Sequence, residues 1–227
     1  QSTIKSIVIG SGFAGISSAL RMRALGHDVI IIERLDQLGG RARTFKKGRY
    51  IHDAGPTVIT APFLFHELFE LFNEKLEDHL EFIHLDPYYR FYFSDEDKVF
   101  DYRASIEDTQ NEIKRFNEKD VEGYKRLLNE SKEIYNVGFK KLVHRPFNKI
   151  ISMISQIPAL LRLKCYRTVW QMVCSHITHP VVRKAFSIHP LLIGGNPFTT
   201  TSIYALIHYL ERKWGVFFCM GGTGKLV

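Results

Sequence analysis

The stretch Gly10-Ser11-Gly12-Phe13-Ala14-Gly15 places three glycines in a GxGxxG pattern near the start of the chain. It follows an apolar run, Ile4–Ile9, that is too short for a helix and predicts a buried parallel strand. Residues 15–25 predict a helix that Gly26 ends, and Val29–Ile32 predicts a second strand. Strand, glycine turn, helix and strand within about thirty residues indicate a βαβ unit that binds a dinucleotide.

Each glycine of this loop has its own expected role. Gly10 allows the tight turn out of the strand, and Gly12 lets a pyrophosphate approach the backbone. Gly15 lets the helix pack closely on the sheet. The N–H groups at the start of the helix add a partial positive charge that favours phosphate.

An acidic residue, Glu33, ends the second strand. Its carboxylate can accept hydrogen bonds from ribose hydroxyls. It would also repel a 2′-phosphate, which argues against NADP, although the neighbouring Arg34 moderates that repulsion.

A second glycine pair lies in the segment Leu38–Phe45, LGGRARTF. Gly39 and Gly40 allow close backbone approach, while Arg41 and Arg43 can form charge-assisted hydrogen bonds with phosphate or flavin oxygens. Because it follows Glu33 so closely, this segment resembles the second half of the FAD fingerprint in the amine-oxidase and GDI-like flavoproteins. The predicted cofactor is therefore FAD.

Four longer motifs follow along the chain. They are DAGPTVIT (Asp53–Thr60), DVEGYKRLL (Asp120–Leu128), LLIGGNPFTTTSIYALIHYLE (Leu191–Glu211) and WGVFFCMGGTGKLV (Trp214–Val227). With the glycine loop, they make the whole chain similar to the bacterial and fungal type of phytoene desaturase. Members of that family are about twice as long and carry another FAD-contacting segment in their C-terminal part. We therefore expect an N-terminal fragment that binds FAD weakly by itself.

The resemblance implies an enzyme of carotenoid biosynthesis that uses FAD to desaturate a hydrophobic polyene precursor, such as phytoene to lycopene. Hydride would leave an allylic C–H for the flavin, and the adjacent carbon would lose a proton. By motif, the positions expected near FAD are Gly10, Ser11, Gly12, Phe13, Ala14, Gly15, Glu33, Arg34, Gly39, Gly40, Arg41 and Gly55. The backbone of Pro56, Thr57 and Val58 is expected near the isoalloxazine. No catalytic residue is assigned, and Asp53 and Glu211 are interpreted as structural rather than as bases.

Other functions remain open at this point. One is a related flavoenzyme on another polyene lipid, namely a C30 desaturase, a carotenoid ketolase or isomerase, or a retinoid saturase. Another is a non-enzymatic, GDI-like prenyl-binding protein, although the intact GSGFAG loop favours a bound cofactor. The glycine motifs do not discriminate among the enzymes.

The net charge of +7 is unevenly distributed over the 227 residues. Residues 134–210 contain no Asp or Glu but nine Lys or Arg. This segment is either a solvated basic face or a surface for anionic lipid headgroups, with Phe147–Ile154 as a possible interfacial helix. The abundant Phe, Tyr, Leu and Ile of residues 139–210 would suit an apolar tunnel for a hydrocarbon. No motif for nucleic-acid binding accompanies the charge.

Several classes of protein are disfavoured. No apolar run reaches the roughly 18 residues that span a bilayer, and no signal peptide is visible. The three cysteines, Cys165, Cys174 and Cys219, form no CxxC pair, and the closest histidines, His176 and His179, have no third ligand nearby. We expect a cytoplasmic protein, peripherally associated with the membrane, without a metal; its oligomeric state is not predicted.

The expected fold is α/β, a Rossmann-like FAD-binding βαβ unit with a mixed-sheet and helical substrate or membrane domain, in an incomplete chain. Residues 1–76 are predicted as the N-terminal part of the FAD domain. Residues 77–199 form the substrate and membrane region, mostly helical after 105. Residues 200–227 form a helix and a glycine-rich segment that returns toward the FAD domain.

The remaining elements are predicted from periodicity, caps and turn residues. Strands are expected at Thr44–His52, with Lys46–Arg49 at its turn, and at Phe82–Leu85, Arg90–Ser94 and Lys98–Tyr102. The last two are expected to form a hairpin around Asp95-Glu96-Asp97. Helices are expected at Pro62–Leu76, Ser105–Phe116, Asp120–Val143 and Thr200–Lys213, and across residues 146–190 with breaks at Pro158, Pro180 and Pro190. Ser105 is expected to be the N-cap of its helix.

Overall fold

The computed structural model describes residues 3–55, 57–139 and 157–227. The chain forms two compact units, the first comprising Gln1–His84 with Val216–Val227 and the second comprising Leu85–Gly215. Residues 77–84 thus belong with the βαβ unit, and the segment that returns to it begins at Val216 rather than at residue 200.

The first unit opens with the predicted βαβ arrangement. Strand β1 (Lys5–Ile9) leads into helix α1 (Phe13–Ala24), and strand β2 (Asp28–Ile32) returns parallel to β1. Helix α1 ends before Gly26, whose φ of 87° is readily reached only by glycine. The α/β fold class is confirmed.

The burial of these two strands differs from the prediction. Ile7 and Ile9 are 63% and 86% exposed, and Ile30 is 55% exposed. Parallel strands are normally covered on both faces. Here the sheet has only two strands, and α1 covers few of their side chains. The apolar run therefore predicted the strand and its parallel pairing correctly, but not the solvent exposure of its side chains.

The rest of the first unit is a set of small antiparallel pairs and one helix. Its elements are β3 (Thr44–Lys47), β4 (Tyr50–Asp53), α2 (Phe63–Glu70), β5 (Phe82–His84) and β8 (Phe217–Cys219). The β3–β4 hairpin has its turn within Lys46–Arg49, as predicted for the stretch Thr44–His52. A small core of Ile59, Leu76, Leu80 and Cys219 packs beneath β5 and β8.

Two elements of this unit were predicted wrongly. Helix α2 ends at Glu70 rather than at Leu76, because Asn73 adopts a left-handed conformation with φ 58° and turns the chain. The second is β8, a strand that the sequence did not predict. This three-residue strand pairs with β5, which lies far away in sequence, so local pattern could not reveal it.

The second unit contains one hairpin and six helices among the residues described. The elements are β6 (Tyr89–Phe93), β7 (Lys98–Tyr102), α3 (Ile106–Lys114), α4 (Asp120–Gly138), α5 (Ile157–Arg162), α6 (Val169–His176), α7 (Pro180–Phe186) and α8 (Leu206–Trp214). The β6–β7 hairpin and the Ser105 cap of α3 are as predicted, with the Ser105 hydroxyl accepting the Asp108 N–H.

The helical region is broken at Pro180 and Pro190, as predicted, because α6 ends at His176 and α7 ends at Phe186. Pro158 lies in the first turn of α5, and Pro180 is the first residue of α7, where its missing N–H costs nothing. Pro190 lies in a short 3-10 turn. The helix predicted from Thr200 begins as another 3-10 turn, Ser202–Ala205, and becomes α8 at Leu206. The predicted interfacial segment Phe147–Ile154 and residues 140–143 lie outside the described residues.

Arg212 organises the core of the second unit. Its guanidinium lies 4.3 Å from the ring centroid of Tyr102, and its Nε donates to the Tyr124 hydroxyl at 2.8 Å. Its Nη1 donates to the carbonyls of Arg103 and Ala104, both at 2.7 Å. These contacts satisfy a mostly buried cation, as its burial requires.

The DVEGYKRLL motif is explained by packing. The Asp120 carboxylate is buried and accepts hydrogen bonds from the backbone N–H groups of Thr178 and His179, at 2.8 and 2.7 Å. One turn later, a Cβ at Gly123 would lie 2.0 Å from the carbonyl oxygen of His176. Both residues therefore hold the turn between α6 and α7 against the start of α4.

This packing predicts different effects for two glycines of α4. Gly123→Ala should lower the free energy of unfolding by about 2 kcal/mol or more, because backbone must move to admit the methyl group. Gly138→Ala is the matched control, since its Cβ would meet the Leu206 side chain at an ordinary 3.5 Å. Gly138→Ala should be neutral or stabilising by up to about 1 kcal/mol. Urea unfolding measures both; equal effects would contradict the packing argument.

Candidate cofactor-binding site

The glycine loop fixes where α1 begins. The Gly10 N–H donates to the Ile32 carbonyl at 2.7 Å, which holds the loop on β2. A Cβ at Gly15 would lie 2.0 Å from the Gly10 carbonyl oxygen, so only glycine permits this close approach. A Cβ at Gly12 would meet no atom within 4 Å. The N-terminus of α1 is thus open to a phosphate group, and the loop fits the pyrophosphate of FAD.

Ser11 joins the glycine loop to the acidic residue. Its N–H and its hydroxyl both donate to Oε2 of Glu33, at 2.9 and 2.7 Å. The other carboxylate oxygen, Oε1, accepts the Leu35 N–H at 3.0 Å. The carboxylate is therefore held in a defined orientation beside the loop.

The second glycine pair lies directly against the first loop. The Gly39 N–H donates to the Ser11 carbonyl at 3.0 Å, and Gly39 forms a parallel bridge with Gly12. A Cβ at Gly40 would lie 3.2 Å from the Gly12 Cα, so the two backbones nearly touch. Residues predicted from two separate motifs thus form one backbone surface.

The DAGPTVIT motif joins the same surface through the backbone. A Cβ at Gly55 would lie 2.3 Å from the Arg41 carbonyl oxygen, and the Ala54 N–H donates to the Arg43 carbonyl at 3.0 Å. The Arg41 side chain is exposed and available for an anionic ligand. The Arg43 guanidinium instead lies over the Phe45 ring, 5.0 Å from its centroid.

The other predicted site residues are placed less directly. Pro56 lies outside the described residues, Thr57 is exposed and Val58 is half-buried. Arg34 and Ala14 are exposed. The Phe13 ring packs edge-on against Phe65 at 5.8 Å and lines an apolar groove of about 720 Å³ beside α1 and α2, so only its backbone faces the loop.

The glycine-rich end of the chain contributes contacts that the sequence predicted only as a return toward this domain. The Thr223 N–H donates to Oδ1 of Asp53 at 3.0 Å, and a Cβ at Gly222 would lie 2.6 Å from the same oxygen. A Cβ at Gly39 would lie 2.7 Å from Cγ2 of Val227. Asp53 thus holds the end of the chain beside the second glycine pair. The run of glycines after Met220 was the one available signal.

The Glu33 carboxylate is strongly stabilised in its ionised form. The Leu35 N–H, then the Ser11 hydroxyl and the Ser11 N–H, lower its pKa from 4.5 to about 2. Hydrogen bonds to the charged form are the cause, since the group is open to solvent. At neutral pH the site therefore presents a fixed negative charge where a ribose would be recognised.

This pKa predicts how Glu33 affects stability. Because the folded-state pKa is lowered, its contribution is present above about pH 4.5 and is lost as the pH falls toward about 2. The difference in unfolding free energy between wild type and Glu33→Gln should therefore grow with pH over that window and be constant above it. Glu67→Gln, which removes an exposed partner of Arg21, should change stability by less than about 1 kcal/mol. A Glu33 difference independent of pH would contradict this assignment.

Glu211 of the second unit, the other carboxylate within a motif, is fully buried. Its Oε1 accepts the Tyr89 hydroxyl at 2.7 Å, and its Oε2 lies 2.9 Å from Nε2 of His189. The ring of His208 lies 3.9 Å from that of His189, and burial holds the pKa of His208 well below its ordinary value. Among the described residues no group of three or more His, Cys, Asp or Glu could hold a metal ion.

We expect Glu211 to act through stability. Glu211→Ala should lower the free energy of unfolding by about 3–5 kcal/mol, because it leaves the buried His189 and the half-buried Tyr89 without their partner. Lys125→Ala, which removes an exposed ion pair with Glu122, should cost less than about 1 kcal/mol. Thermal or urea unfolding compares the two; a small effect of Glu211→Ala would refute the structural role.

A dinucleotide-binding flavoprotein is defined by three features that this site combines: the glycine loop, the acidic residue Glu33 and the second glycine pair. The chain matches the family described as flavin containing amine oxidoreductase over residues 13–227, and it belongs to that family. The prediction of FAD as the cofactor is confirmed by this match.

Two relatives illustrate where the chain lies within this family. It is 43% identical over 220 residues to the lycopene-forming phytoene desaturase of Pantoea ananas, covering 97% of this chain and 44% of that protein. It is 33% identical over 219 residues to the neurosporene-forming phytoene desaturase of Rhodobacter capsulatus, covering 96% and 42%. The resemblance to phytoene desaturases is therefore confirmed, and the chain spans less than half the length of these relatives.

Solved structures agree on the fold. Wild-type putrescine oxidase bound to putrescine superimposes with a TM-score of 0.61 and 16% identity, over 99% of this chain and 47% of that one. Within the ranges that the structure describes, no helix is both long and apolar enough to cross a bilayer.

Proposed function

We propose that the protein is an FAD-dependent phytoene desaturase, an oxidoreductase that converts phytoene to a more conjugated polyene such as lycopene in carotenoid biosynthesis. The observation that carries the proposal is the 43% identity to the Pantoea ananas desaturase across nearly the whole chain. The lower identity to the neurosporene-forming relative favours lycopene as the product.

The described residues have defined tasks in this proposal. When bound, FAD is the oxidant that takes up the hydrogen removed from the substrate. The open N-terminus of α1 binds its pyrophosphate, and the ionised Glu33 accepts a ribose hydroxyl. Asp53 and Glu211 hold the backbone and the helical core in place. A substrate without polar groups requires a dry, apolar site rather than a charged one.

Expression of the full-length protein in a carotenoid-free bacterium supplied with phytoene tests this function. We expect a coloured polyene in the wild type. Gly12→Val should yield unchanged phytoene, because its side chain would occupy the open side of the loop where the pyrophosphate approaches.

Product mass and chromatographic retention distinguish lycopene from the products of a C30 desaturase, a ketolase, an isomerase or a retinoid saturase. Unchanged phytoene with FAD bound would overturn the proposal, and a colourless protein without FAD would favour a prenyl-binding protein.

We also propose that the protein works in the cytoplasm as a peripheral protein on an anionic membrane, where a hydrophobic substrate is held. The supporting observation is the acid-free segment from residue 134 to 210. Its described part carries large exposed apolar side chains, including Tyr166, Leu191 and Phe198, at 72%, 61% and 58% exposure. Apolar and basic side chains together favour an interface with anionic lipid.

Flotation with lipid vesicles tests the membrane partner. The full-length protein should bind vesicles that contain phosphatidylglycerol more tightly than pure phosphatidylcholine vesicles, and salt should weaken the binding. Arg162→Gln with Lys164→Gln should reduce binding about thirtyfold, since each basic residue near the surface contributes about 1 kcal/mol. Lys46→Gln with Lys47→Gln is the matched control from the β3–β4 hairpin. Equal binding to both kinds of vesicle would overturn this proposal.

A further inference from the structure

The hydroxyl of Ser11 occupies a position that the glycine pattern does not explain. Position 11 is a variable position of GxGxxG, yet Ser11 is 1% exposed. Its Oγ accepts the Gly39 N–H at 3.3 Å and donates to Oε2 of Glu33 at 2.7 Å. A carboxylate can only accept, so the direction of the hydroxyl is fixed. A hydrogen-bonded chain thus runs from the second glycine pair through Ser11 to Glu33.

This chain leaves Glu33 with a limited capacity for a ligand. A carboxylate accepts about four hydrogen bonds, two at each oxygen. Both positions on Oε2 are filled by Ser11, and one position on Oε1 is filled by the Leu35 N–H. Of the two oxygens, Oε1 therefore keeps the capacity for a further donor. A single ribose hydroxyl would fill it.

We propose that Ser11 is a positioning residue for cofactor recognition, because its hydroxyl fixes the Glu33 carboxylate so that Oε1 meets one hydroxyl of the adenosine ribose of FAD. The inference rests on the assignment of FAD as the cofactor, within the proposed function. Ser11 is thereby added to the three glycines and Glu33 as a residue for cofactor recognition, and the part of FAD on which it acts is the adenosine ribose.

The test is a thermodynamic cycle in the full-length apoprotein, titrated with FAD and followed by flavin fluorescence and calorimetry. Ser11→Ala should weaken FAD binding about tenfold, as expected for loss of a hydrogen bond to a charged group. In a Glu33→Ala background the same change should alter the dissociation constant less than about twofold, because Ser11 acts through Glu33. Ser18→Ala is the matched control, since its exposed hydroxyl donates to Ala14 O within α1. We expect no change for it.

A second set of ligands identifies the part of FAD concerned. Of two FAD analogues whose adenosine ribose lacks the 2′- or the 3′-hydroxyl, the one without the hydroxyl that meets Oε1 should bind the wild type more weakly than FAD. For that analogue, Ser11→Ala should cause little further loss. Should Ser11→Ala fail to fold, Ser11→Cys keeps the size of the side chain with a weaker donor and gives the same comparison.

Two results would overturn the proposal. One is an equal loss of FAD affinity from Ser11→Ala with and without Glu33, which would indicate a general effect on the loop. The other is unchanged affinity in Ser11→Ala or Ser11→Cys. Both readouts measure binding, so a protein that binds FAD and leaves phytoene unchanged would refute the desaturase function without affecting the result for Ser11.

Discussion

The close contact between Gly15 and the carbonyl of Gly10 is the constraint on which the candidate site depends. A Cβ would need to lie 2.0 Å from that oxygen, so any other residue would displace the helix from the loop. Because α1 begins there, Gly12 stays open to solvent and Ser11 turns inward. Ser11 then meets both Glu33 and Gly39, which lie 22 and 28 residues further along the chain. The phosphate side and the ribose side of the site follow from one steric condition at the start of one helix.

The second unit depends on buried charge. Arg212 and Glu211 are neighbours on α8, and each finds its partners in other elements: Arg212 in β7, α4 and the turn before α3, and Glu211 in β6 and the turn at His189. Unpartnered, either charge would be very unfavourable in this core. Two of the motifs that resemble phytoene desaturases, around Asp120 and Glu211, therefore contribute here through packing and hydrogen bonding. The residue types in these two motifs are therefore explained by the packing of this core as much as by the chemistry of the reaction.

Local signals predicted much of the fold. The Ser105 cap, the acidic turn between β6 and β7 and the βαβ unit were correct because caps, turns and glycine loops are encoded within a few residues. The errors fell where structure depends on distant partners. Strand β8 exists because β5 is beside it, and the exposure of Ile7 and Ile9 depends on how many strands and helices cover the sheet. Helix α2 ended early because Asn73 turned left-handed, which an amphipathic pattern does not register.

The sequence by itself determined the class of cofactor, the glycine loop, the acid at Glu33 and the family, because each of these depends on residue types at fixed spacing. Only the tertiary structure decided how they meet. It placed Gly55 against Arg41, Gly40 against Gly12 and Thr223 against Asp53, and it directed the Ser11 hydroxyl to Glu33. These contacts join segments that no short-range pattern connects. Their physical basis is the absence of side chains where backbones cross and the requirement that buried polar groups find partners.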